Sequence, residues 1–155
     1  MDNLKRVKSA ELFPLITDII KQEGSAWITV TGMSMYPFLR DGVDFVELSG
    51  TSFEKMKKKD IILIKRDCGA YVLHRVLRKE KTSFYIVGDA QQWIEGPLRP
   101  DQIVAGVTRI KRKDHVIACD NRLYKVAIAI WMLIIPYRNI VFKLYNKFRS
   151  LTKLQ

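Results

Sequence analysis

The sequence predicts a mainly β fold, a coiled sheet or barrel with one helix before it and helices after it. Three observations carry this. Short segments alternate apolar and polar residues at period two and are separated by Gly, Asp and Pro turn signals. Helical periodicity is confined to the two ends of the chain. The 155 residues are 48% hydrophobic, which suits one folded domain around one core.

In chain order, residues 9–22 read as an amphipathic helix. Leu12, Ile16, Ile19 and Ile20 repeat at helical spacing, Ser9 stands at the capping position and Gly24 ends the run; Pro14 fits only near the first turn. The period changes to two at Trp27, and strands are expected over 27–31, 45–48, 60–64, 71–77, 83–87 and 103–110, with a further one at 115–119. Turns are expected at Asp41-Gly42, Ser49-Gly50, Cys68-Gly69, Gly88-Asp89 and Glu95-Gly96-Pro97. So many short strands argue for a barrel-like coiled sheet. The chain thus divides into an N-terminal helix (1–24), a β-domain (25–120) and a C-terminal helical segment (121–155).

That last segment is chemically distinct. Residues 126–135 form a continuous apolar run, too short for the roughly 20 residues that a spanning helix needs. After Pro136 the pattern turns amphipathic, with Ile140, Val141, Leu144, Tyr145 and Phe148 set against Lys143, Lys147 and Arg149. The net charge is +11, and from Lys111 onward ten basic residues face two acidic ones. Basic residues flanking apolar surface, with Trp131 and Tyr137 among them, suit a membrane interface through residues 123–151. They do not form the polar basic stripe of a nucleic-acid binder, and no nucleic-acid partner is expected. The other readings are a helix pair packed on the barrel and, less favoured, an integral span.

Two cysteines, Cys68 and Cys119, make neither a disulfide framework nor a metal-ligand cluster. Residues 1–8 are charged, with no apolar run of a secretory signal or anchor behind them. His115, in the charged stretch 112–115, reads as an exposed turn residue.

The chemistry concentrates at Thr31-Gly32-Met33-Ser34-Met35-Tyr36-Pro37, where a strand runs into a turn presenting one serine. A tight turn exposes a hydroxyl and lets neighbouring backbone N–H groups converge on one point. Taken alone, a turn serine is usually structural. However, Gly32 to Pro37 resembles the nucleophile box of type I signal peptidases and the related LexA-like self-cleaving proteases, which selects Ser34. Lys59-Asp60-Ile61-Ile62 resembles that family's Gly-Asp-Ile-Val strand, with Lys59 where glycine is usual. Leu73-His74-Arg75-Val76 resembles the general-base box, Val87-Gly88-Asp89-Ala90 the later Gly-Asp box, and residues 103–110 the closing strand. The ordered set covers roughly residues 27–112.

Bacterial-type members place lysine where this chain has His74; His-Arg-Val is similar to the endoplasmic-reticulum type. An imidazole with an ordinary pKa of about 6.5 is mostly neutral near pH 7 and accepts the Ser34 proton without special desolvation. A carboxylate that orients the imidazole would complete the set. The resemblance places an acid in this segment: Asp89 is favoured, with Glu95 as the alternative. The oxyanion hole is expected from the backbone at Ser34 and Gly32. An extended substrate is expected along Trp27, Ile28, Thr29 and Val30 as an added strand, with Met35 beside it.

The expected function is a serine endopeptidase that cleaves signal or leader peptides, with no cofactor or metal. Without an N-terminal anchor, a cytoplasmic and membrane-associated location follows. The competing readings are a catalytically degenerate peptide- or membrane-binding member, and a self-cleaving regulator of the LexA-like kind. The latter is weakened by the lack of a DNA-binding domain before Ser34 and of lysine at position 74.

Overall fold

In a computed structural model, which describes residues 9–152, the first described element is a helix, α1 (Ser9–Lys21). Residues 1–8 and 153–155, and with them the expected charged N-terminal lead, lie outside the described residues, as do the side chains of Ser9 and Phe148. Ile16 is buried, and Leu12, Phe13 and Ile20 pack beside it against the sheet, whereas Ile19 is exposed. Pro14 falls inside the helix rather than in its opening turn.

Eight strands follow: β1 (Ser25–Thr29), β2 (Asp44–Ser49), β3 (Ile61–Lys65), β4 (Tyr71–Lys79), β5 (Phe84–Val87), β6 (Glu95–Leu98), β7 (Ile103–Arg112) and β8 (His115–Ala118). They form one antiparallel sheet in the order β1-β2-β7-β3-β4-β5-β6, with β8 paired to β7. The mainly β architecture is as expected. The barrel is not: the sheet stays open, with β1 at one end and β6 at the other.

β6 includes Glu95-Gly96-Pro97, where the sequence predicts a turn because the segment carries two turn residues. Its place at the sheet end explains the difference, since proline withholds a ladder donor and is tolerated on an edge strand. β5 holds it through Phe84↔Leu98 and Ile86↔Glu95.

The alternation of β3 organises the core. Ile61 and Leu63 join Val30, Met35, Leu39, Val46, Leu48 and Ala105 on the face under α1. Ile62 and Ile64 join Met56, Val76, Phe84, Ile86 and Leu98 on the other face. A coiled sheet buried on both faces needs no separate second layer of strands.

The C-terminal segment is helical. α2 (Arg122–Leu133) starts at Asn121, whose side chain accepts from the N–H groups of Leu123 and Tyr124. Pro136 breaks the run in a short 3-10 turn (Ile135–Tyr137), and α3 (Arg138–Thr152) leaves at 66° to α2. No single helix among the described residues is long and apolar enough to cross a membrane.

Candidate active site

Ser34 lies in the loop between β1 and β2. Gly32, at a φ of 84°, turns the chain out of β1 in a conformation that favours glycine. Its N–H donates to Asp41 Oδ1 at 2.9 Å, so Asp41 fixes the loop and the Gly32 N–H is engaged there. Of the two backbone N–H groups expected at the oxyanion hole, that of Ser34 has no hydrogen bond among the described residues. Met35, expected beside the substrate, is instead a core residue at 2% exposure. Met33 takes the exposed position.

The Ser34 backbone is tied to the segment after β5. Its carbonyl accepts from the Ala90 N–H at 2.8 Å. At Gly88 a Cβ atom would stand 2.6 Å from the same carbonyl oxygen, an approach only glycine allows. The β4–β5 register ends at Arg75↔Val87, so His74 and Gly88 are the residues next beyond its last pair. The serine loop therefore rests on the segment that follows the last β4–β5 pair.

His74 and Arg75 are successive on β4 and point to opposite faces. His74 lies with Val72 and Val76 on the face of the second cluster. It is 2% exposed, and its Nδ1 is buried without a hydrogen-bond partner. The nearest carboxylate is that of Glu95, with Oε2 3.8 Å from Nδ1. Burial pushes the His74 pKa down to about 4; Glu95 opposes this and Arg66 adds to it. The imidazole is thus neutral at pH 7. With Nδ1 turned to Glu95, Nε2 lies on the other side of the ring. The edge of Trp93 approaches the same ring at 6.2 Å between centroids, and Trp93 is itself exposed.

The two candidate acids have different partners. Glu95 is clamped by Arg66, whose Nε and Nη2 reach its two oxygens at 2.6 Å each. Asp89 is fully buried on the other face of β4. Its two oxygens accept from Arg75 Nε and Nη2 at 2.8 and 2.6 Å. Arg75 also donates to the Lys59 carbonyl and to the Tyr124 hydroxyl. Asp89 is committed to Arg75, and the carboxylate beside His74 belongs to Glu95.

β1 ends the sheet and, among the described residues, pairs only with β2. The Val30 N–H donates to the Asp44 carbonyl, so antiparallel alternation turns the Thr29 and Trp27 backbone groups to the open edge. Of the four expected substrate residues, Val30 is core and Ile28 packs on it; Trp27 and Thr29 keep a free backbone edge.

The segment 88–92 is braced from behind by the C-terminal helices, a role the sequence did not signal. Trp131 Nε1 donates to the Asp89 carbonyl at 2.8 Å. Fully buried Arg138 donates through Nη1 to the carbonyls of Gly88 and Gln91 at 2.8 and 2.9 Å. Gln92 Nε2 donates to the Pro136 carbonyl and accepts through Oε1 from Asn139. Arg66 and Trp93 were likewise missed: neither lies in a motif, and their approach to His74 arises only from strand pairing.

His115 is exposed at the start of β8, and Cys68 and Cys119 are free thiols. Among the described residues no group of three or more His, Cys, Asp or Glu side chains is arranged to hold a metal ion. Searches against family models and against curated proteins find no match to the chain.

Proposed function

We propose that this chain is a serine endopeptidase of the signal-peptidase type, acting through Ser34, His74 and Glu95. The observation that carries the reading is a buried, neutral histidine with a carboxylate 3.8 Å from Nδ1, on the strand whose pairing with β5 ends just before Gly88, where the Ser34 backbone is pinned. The finer fold assignment, an open variant of the signal-peptidase/LexA-like sheet, belongs to the same proposal. Lys59 supports it: at a φ of 79° it holds a glycine-favouring conformation at the position where the resembling family has glycine.

In the proposed reaction Ser34 Oγ attacks the scissile carbonyl carbon and its proton passes to His74 Nε2. The carbonyl oxygen becomes an oxyanion at the Ser34 N–H. The intermediate collapses by breaking the C–N bond, and His74 returns the proton to the leaving amine. Water then hydrolyses the Ser34 ester with His74 again as base. A movement of about 1 Å brings Glu95 within hydrogen-bond range of Nδ1, where it stabilises the imidazolium. The substrate adds as a strand to the free edge of β1 at Trp27 and Thr29. Signal or leader peptides are the proposed substrate class.

The test is acylation by a fluorophosphonate probe. Labelling that disappears in Ser34→Ala and falls sharply in His74→Gln is expected; undiminished labelling of Ser34→Ala overturns the reading.

A further inference from the structure

The outer face of the C-terminal helix pair carries a continuous apolar stripe. Val126, Ile130, Leu133, Tyr137, Ile140 and Leu144 follow one another at spacings of four, three, four, three and four residues, across the break at Pro136. Each is between 51% and 79% exposed. The opposite face supplies the buried side chains, Ile128 and Arg138, and the half-buried Tyr124 and Trp131, that hold the helices to the β-domain. Isolated exposed apolar residues are ordinary, but a stripe of six in series is an interaction surface.

Charge identifies what covers it. From Asn121 to Gln155 the chain has seven basic residues and no Asp or Glu. Lys143 and Lys147 share the stripe's own face of α3, interleaved with Ile140 and Leu144 at positions i, i+3, i+4 and i+7. Two copies meeting face to face would oppose like charges, whereas anionic headgroups above an acyl layer satisfy both residue types at once. The two helices together have the length and composition of a broken span, but crossing the bilayer is disfavoured by the 66° bend between them. It is also disfavoured because Arg138, at that bend, is held by the Gly88 and Gln91 carbonyls of the β-domain.

We infer that α2 and α3 lie on an anionic membrane surface, with the stripe in the headgroup–acyl boundary and the lysines among lipid phosphates. The inference does not rest on peptidase activity. The helices that meet lipid on one face also brace the segment 88–92 with the other, and that segment in turn holds the Ser34 carbonyl, so the docked surface and the Ser34 loop are linked through it.

The test is vesicle flotation of the full chain carrying Ser34→Ala, so that proteolysis plays no part. Phosphatidylcholine vesicles are compared with the same vesicles containing phosphatidylglycerol, at low and high salt. Binding at least about tenfold stronger to the anionic vesicles, and weakened by salt, is expected. Ile130→Glu with Leu133→Glu should remove at least about tenfold of the binding while leaving thermal unfolding unchanged. Lys143→Gln with Lys147→Gln, two solvent-side changes, should abolish the anionic preference and keeps the test decisive if the glutamate pair does not fold. Equal binding to both vesicle types overturns the inference. So does undiminished binding of the lysine variant, or a stripe that mediates self-association or capture of an acidic protein without binding lipid.

Discussion

Glu95 sets one carboxylate oxygen 3.8 Å from His74 Nδ1 while Arg66 holds both of its oxygens. The arrangement keeps a negative charge beside a buried imidazole without forming the hydrogen bond that would make it basic. Arg66 and His74 compete for one acid, and proton arrival at His74 shifts the balance toward the imidazolium.

Glu95→Gln removes that charge and should lower kcat/KM by about a hundredfold to ten-thousandfold, the range of positioned acid–base partners. Stability should change by only about 1 kcal/mol, because the Arg66 partner is partly exposed. Parallel kinetics and thermal melts check both halves; a Gln variant with full activity removes Glu95 from the mechanism.

Asp89→Asn should behave in the opposite way. Arg75 and Asp89 are 1% and 0% exposed, and the substitution leaves a buried guanidinium without its counter-charge. A loss of about 3–5 kcal/mol is expected, read as a fall in the urea midpoint. Activity per folded molecule, measured well below the melting temperature, should fall far less than in Glu95→Gln.

Acid should act first through His74. Its folded pKa is pushed by burial to about 4 from an ordinary 6.5, so the unfolded chain takes up the proton more readily. The stability from keeping His74 neutral is complete above pH 6.5 and is lost as pH falls toward 4, about 3 kcal/mol in all. Below that, Glu47 takes over: hydrogen bonding to Arg109 holds it at about 2, and its contribution is lost as pH falls from 4.5. Urea titrations across pH should show both segments, and His74→Gln should flatten only the upper one.

What the sequence made legible follows from periodicity. Strands alternate, so β1 to β5, β7 and β8 could be read; β6 could not, because Gly96 and Pro97 look like a turn until an edge position makes them acceptable. The serine loop and the histidine strand were legible as ordered motifs. The choice between the acids was open because it depends on which face of β4 each one meets. A signal was present: adjacent strand residues face opposite ways, so an acid paired with Arg75 is withdrawn from His74. Sequence alone did not say that Asp89 was the acid so used. The brace by Trp131 and Arg138 joins residues about 40–50 positions apart and leaves no local pattern.

Lys59→Gly should stabilise the fold. Lys59 holds a φ of 79° while its N–H donates to the Val76 carbonyl and its carbonyl accepts from Arg75. A side chain in that region costs about 1–2 kcal/mol, of which glycine's greater unfolded-state freedom takes back about 0.5–1 kcal/mol. A net gain of up to about 1 kcal/mol should appear as a higher melting temperature; a lower one would mean that the lysine side chain contributes more than its backbone costs.

Arg138 is the most informative position for the link between the C-terminal helices and the site. It is fully buried, and its donors end on the Gly88 and Gln91 carbonyls, either side of Ala90, whose N–H holds the Ser34 carbonyl. Arg138→Met strips both carbonyls of this donor, at about 1–3 kcal/mol each, and loosens the segment against which Ser34 rests. If Arg138 is a positioning residue, kcat should fall while KM changes little, because the free edge of β1 that would receive the substrate is untouched. Arg138→Lys, which reaches one carbonyl, should restore part of both stability and kcat. A purely structural role would lower the melting temperature but leave kcat per folded molecule unaltered in both variants, and steady-state kinetics well below the melting temperature separates the two cases.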